Sequence, residues 1–132
     1  MKRIEHIGIA VQDLAGAEKI FEDILGYAPH KRERVDSESV EVSFFQTGES
    51  KVELLATTDA QGPIGEHIQK RGPGLHHLAF HVDDLQEEIS RLETLGYRII
   101  SGPKSGADGK IIAFLHPSDT VKVLVELCAD AR

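Results

Sequence analysis

The chain contains one pattern twice. His6 to Tyr27, HIGIAVQDLAGAEKIFEDILGY, lies over His77 to Tyr97, HLAFHVDDLQEEISRLETLGY, pairing His6 with His77, Val11 with Val82, Asp13 with Asp84 and Leu14 with Leu85 before both copies close on Leu-Gly-Tyr. The second copy is one residue shorter. A further match ends each half: KVELLA from Lys51 sits over LVELCA from Leu124, which pairs Glu53 with Glu126. Repetition on this scale means two copies of one supersecondary unit, neither of which buries its apolar face alone. The expected organisation is therefore one domain over 1–132, with module 1 over about 1–60, a linker helix over about 61–73 and module 2 over about 74–132.

Each module reads as strand, helix, then three strands. Ile4 to Val11 is rich in β-branched residues, and Asp13 stands where it can cap a helix with apolar residues at Leu14, Ala17, Ile20, Phe21, Ile24 and Leu25, ended by Gly26. Asp84, Leu85, Ile89, Leu92, Leu95 and Gly96 repeat this plan. The remaining strands are expected at 27–36, 39–47 and 51–57, and at 97–101, 111–116 and 121–128, with TGES and HPSDT as turns.

Strand alternation then sorts the histidines. Successive side chains point to opposite faces, so Ile7, Ile9 and Val11, with Leu78, Phe80 and Val82, are expected under the helices. His6, Gly8 and Ala10 share the other face with His77, Ala79 and His81. His76 points away from His77, and it is read with His30, His67, His81 and His116 as structural or surface. Two histidines and two glutamates at equivalent module positions, His6, Glu53, His77 and Glu126, make a candidate mononuclear metal site. Imidazole and carboxylate together suit Co²⁺, Zn²⁺, Ni²⁺, Mn²⁺ or Fe²⁺.

Composition bounds the partners. A formal net charge of −7 over 132 residues argues against nucleic acid or an anionic membrane, and no apolar run approaches the length of a bilayer span. The N-terminus MKRIEHIGIAV lacks a signal peptide's apolar stretch, and a single cysteine, Cys128, fits a reducing compartment, so a cytoplasmic protein is expected.

These segments resemble a known family. The paired βαβββ pattern with His6, Glu53, His77 and Glu126 resembles the vicinal oxygen chelate superfamily of glyoxalase I, extradiol dioxygenases and fosfomycin-resistance proteins. HIGIAVQDL, VELLA, GPGLHHLAFHVDD, IAFLHP and VLVELC together are similar, over nearly the whole chain, to its methylmalonyl-CoA epimerase family. The resemblance implies an α+β fold, with two βαβββ modules in tandem forming a curved eight-stranded mixed sheet around a metal-binding cleft. It implies one divalent ion per chain, Co²⁺ favoured, held by His6, Glu53, His77 and Glu126, and a homodimer. It also implies an acyl-CoA substrate, a place in propionate metabolism, and epimerisation through a metal-stabilised enolate.

Removing the proton α to a thioester and returning it on the opposite face needs two acid/base groups, of which Glu126, as ligand and base, is the candidate best supported. Several bacterial epimerases of this kind carry a third-strand glutamate where this chain has Val42, and the loop often written GAHG in the family is GADG here, which makes Asp108 a secondary candidate. The alternatives are a glyoxalase-like lyase, an epimerase of another acyl-CoA, and a non-catalytic small-molecule binding protein on the same scaffold.

Overall fold

The computed structural model describes residues 2–131. The elements run β1 (Arg3–Val11), α1 (Leu14–Leu25), β2 (Lys31–Val35), β3 (Val40–Thr47), β4 (Ser50–Thr57), α2 (Pro63–Arg71), β5 (Gly74–His81), α3 (Leu85–Thr94), β6 (Ile99–Ser105), β7 (Lys110–Leu115) and β8 (Val125–Asp130). This is strand, helix and three strands, twice, with α2 between, and the hydrogen-bonded order of the eight strands is β2-β3-β4-β1-β5-β8-β7-β6. The sheet is mixed, because β5 pairs in parallel with β8 while β2/β3, β3/β4, β6/β7 and β7/β8 are antiparallel.

The chain divides into two compact units whose limits fall inside strands. One takes Ile7–His76, and the other takes the chain up to His6 and again from His77 onward. In the first, α1 lays Leu14 against Val11, Phe45 and Leu54, with Ile9, Ala17, Phe21, Leu25, Val52 and Ala56 around them. In the second, α3 lays Leu85 and Ile89 against Val82, Ala113, Leu127 and Ala129. Residues two apart on one strand, such as Ile9 and Val11 or Leu127 and Ala129, share the helix side, as alternation requires. Burying a large aliphatic or aromatic side chain contributes about 1.5–3 kcal/mol, and these stripes supply that on one face only.

Some element limits differ from expectation. β2 begins at Lys31 and not at 27, because Gly26 ends α1 in the left-handed region (φ 86°) with its N–H on the Glu22 carbonyl, and the chain turns before extending. The last strand begins at Val125 and not at 121, since Val121 and Lys122 both take positive φ (49° and 69°) and the segment after Pro117 winds through turns. β6 runs on through Ser105 across irregularities in its pairing with β7. Asp13 occupies the N-cap position of α1 yet makes no side-chain cap hydrogen bond, whereas Asp84 accepts from the Glu87 N–H at 3.0 Å.

Candidate metal centre

β1 and β5 each present a histidine, and β8 presents a glutamate whose position is fixed by register. Glu126 pairs with Ala79 of β5 on one side and Phe114 of β7 on the other. Three side chains then meet. His6 Nε2 lies 2.9 Å from His77 Nε2, Glu126 Oε2 lies 3.5 Å from His6 Nε2, and Glu126 Oε1 lies 3.3 Å from His77 Nε2. All three residues belong to the same compact unit, since His6 groups with the part of the chain that begins at His77.

The chemistry of this triangle is that of cation ligands. The side chains are 6%, 7% and 4% exposed, so neither imidazole nor carboxylate is freely hydrated. Two imidazoles that face each other through Nε2 share at most one proton on that line, and a second positive charge there is repelled. Donors bound at 2.0–2.1 Å around one centre at octahedral or tetrahedral angles stand about 2.9–3.4 Å apart, close to the three edges seen. Nitrogen and oxygen donors in this ratio suit a borderline divalent ion. The ring of His77 also stands edge-on to Phe114, centroids 6.0 Å apart, which gives the histidine an apolar wall.

Glu53 is buried on β4 opposite Phe44, within the unit Ile7–His76. Val42 is buried on β3 between Glu33 of β2 and Leu55 of β4, so no carboxylate stands at that position. Asp108 lies in a short turn between β6 and β7 with φ 61°. His76 packs edge-on against His67 of α2, centroids 4.8 Å apart, and burial, with the His67 charge behind it, pushes its imidazole down to about 4. His116 accepts from the Ser118 N–H, His30 packs against Phe44, and His81 has a buried Nδ1 with no hydrogen-bond partner.

One residue at the centre escaped the sequence reading. Glu5 is buried beside His6, and its Oε1 is 2.9 Å from His6 Nδ1. With His6 and the buried Cys128 it forms a second donor group whose atoms lie within 4.8 Å of one another. The only signal was a charge directly before a strand histidine, which alternation assigns to the opposite face.

The chain matches the family described as Glyoxalase/Bleomycin resistance protein/Dioxygenase superfamily over residues 5–114. The chain belongs to that superfamily. It is 42% identical to the uncharacterized protein YqjC of Bacillus subtilis, covering 97% of this chain and 92% of the relative. It is 34% identical to the ethylmalonyl-CoA/methylmalonyl-CoA epimerase of Cereibacter sphaeroides, over 95% of this chain and 96% of that one. A methylmalonyl-CoA epimerase solved in complex with methylmalonyl-CoA and NH4+ superposes with a TM-score of 0.91 at 30% identity, covering 99% and 96% of the two chains. The superfamily, the eight-stranded mixed sheet and the epimerase class implied by the motif resemblance all agree with these relatives. No described helix is long and apolar enough to cross a membrane.

Proposed function

We propose that this chain is a divalent-cation-dependent epimerase that interconverts (R)- and (S)-methylmalonyl-CoA. The convergence of His6, His77 and Glu126 donors at 2.9–3.5 Å, in a chain whose relatives include epimerases of this substrate, supports the reading. The sequence repeat, which sets Glu53 over Glu126, makes Glu53 the fourth candidate ligand. A cation so held, Co²⁺ for preference, supplies electrostatic stabilisation for negative charge that develops on the thioester and carboxylate oxygens of a malonyl-type substrate.

The protein's own part is proton movement and exclusion of water. Glu126 is the base: its carboxylate takes the proton from the carbon between the two carbonyl groups, leaving the planar enolate of the thioester and a protonated Glu126, and a second acid/base group that exchanges its proton with solvent gives one to the opposite face, forming the other enantiomer. His6 and His77 flank that carboxylate, one imidazole facing each oxygen. Phe114 beside His77 and the low exposure of all three side chains limit access of bulk water to the carbanion. We place the enzyme in the cytoplasm as a homodimer, in propionate metabolism.

Incubation of the Co²⁺-loaded protein with 2-methylmalonyl-CoA in D₂O tests the proposal. Deuterium at the α-carbon and equalisation of the two enantiomers are the expected result. Bound cation without exchange would instead favour a glyoxalase-like lyase or an enzyme of another acyl-CoA.

A further inference from the structure

Glu5 is a buried carboxylate that the proposed reaction does not use. Its residue is 3% exposed on β1, one oxygen is 2.9 Å from His6 Nδ1, and the other faces the Arg3 guanidinium at 3.9 Å. Burying a carboxylate is costly unless it is paired or hydrogen-bonded. The contact it makes has a definite consequence for its neighbour. A carboxylate only accepts, so the imidazole it faces must donate, and the His6 proton is held on Nδ1. The lone pair is then on Nε2, the atom that faces His77 Nε2 and Glu126 Oε2.

We propose that Glu5 is a positioning residue that fixes the tautomer and ring orientation of His6 and raises the donor strength of its Nε2 toward a divalent cation. This rests on the reading of His6 as a cation ligand. A carboxylate behind a ligating imidazole sets which nitrogen binds, fixes the orientation of the ring, and makes the imidazole more basic as a ligand. The ring of His77 meets Phe114 at a near-right angle, centroids 6.0 Å apart. The group Glu5, His6 and Cys128 offers a competing assignment, in which Glu5 ligates an ion directly. That assignment places the ion on Nδ1 and demands the opposite tautomer, so the two exclude each other at His6 when one ion is bound.

The test has two arms. In the first, ¹⁵N NMR of the metal-free protein at pH 8 reads the His6 tautomer, which is expected to be Nδ1–H in the parent and to shift toward a mixture in Glu5→Ala. An Nε2–H parent overturns the proposal. In the second, calorimetric titration with Co²⁺ is expected to give one ion per chain and an affinity reduced about 10- to 100-fold in Glu5→Ala, the magnitude expected when the partner of a ligating histidine is removed. Glu5→Gln, which keeps an acceptor and loses the charge, should fall between Glu5→Ala and the parent. Visible spectra of the Co²⁺-loaded proteins should change with the same rank order.

Unchanged affinity in both variants, with circular dichroism that shows both folded, overturns the role given to Glu5. So does a parent that binds two ions, one of which Cys128→Ser removes. His6→Ala separates this from the parent reading: retained binding in His6→Ala sinks the ligand assignment itself, whereas lost binding there with unchanged Glu5 variants sinks only the inference.

Discussion

The two repeats place a histidine on their first strand and a glutamate on their last, yet they secure their helices and turns by different contacts. In module 1, Asp13 caps nothing with its side chain, and α1 is tied to the strands by Glu18, which accepts from the Arg32 guanidinium of β2 and the Ser43 hydroxyl of β3. In module 2, Asp84 caps α3 directly, and Arg98 grips Asp119 through its backbone N–H and two guanidinium nitrogens. The strand faces carry the shared pattern, because a slip of one residue would turn a ligand to the wrong side. The polar ties are local, and either arrangement of them leaves the strand register intact. What is common to both repeats points to function, and what differs records how each copy is stabilised.

The strongest test of this division is at the histidines. His77→Ala is expected to weaken Co²⁺ binding by more than about a hundredfold, beyond the loss typical of removing a partner behind a ligand. His76→Ala, one residue away on the opposite face of β5, should bind within about threefold of the parent, since a side chain that points elsewhere couples weakly. Calorimetric titration decides between them, and a reversed order would break the facing argument.

The glutamates come next. Glu126→Gln, saturated with cation, should still bind the acyl-CoA and exchange its α-proton at least about a hundredfold more slowly than the parent, because an amide cannot accept the proton. Glu53→Gln should lose less, its proposed role being ligation alone. Deuterium uptake read by NMR compares the two, and near-parental exchange in Glu126→Gln would make the repeats functionally equivalent where we hold them distinct.

Stability should separate the repeats by smaller amounts. Asp84→Ala is expected to cost about 1 kcal/mol, the usual loss for a removed N-cap, and Asp13→Ala well under half of that. Urea unfolding with equal m-values would measure both, and equal losses would show that the missing hydrogen bond at Asp13 is without consequence. The acid limb sharpens the same contrast. Arg98 holds the Asp119 carboxyl down to about 2 from an ordinary 3.8, so the ionised form is favoured in the folded chain. Its contribution is complete above pH 3.8 and is lost as the pH falls toward 2, where protonation breaks the contact. Asp119→Asn should therefore flatten the pH dependence of the urea midpoint in that window while leaving its slope at neutral pH unchanged.

Much of the fold was legible because repetition fixes more than propensity does. The order of elements, the helix faces built on Leu14 and Leu85, and the faces of His6 and His77 follow from alternation and helical spacing. The start of β8 was not legible: Val121 and Lys122 both adopt the left-handed region, which sequence reading reserves for glycine and asparagine. Asp13 had the right residue type for a cap, and only the side-chain geometry tells it from Asp84. Glu5 was hidden for a different reason. Alternation describes where a Cβ points, and a carboxylate at the end of a flexible stem can reach the ring of its own neighbour.

The contact between His6 and His77 joins residues 71 positions apart, and Glu126 arrives from the eighth strand. Closing a flexible loop of that length costs roughly 4 kcal/mol in its logarithmic length term alone. A ribosome that has made only the first strands has released one imidazole, and the second follows long after it. The carboxylate comes last, paired in parallel beside β5. A growing chain therefore keeps the His6, His77 and Glu126 donors apart, and the three meet only when synthesis and docking of the last strand are complete.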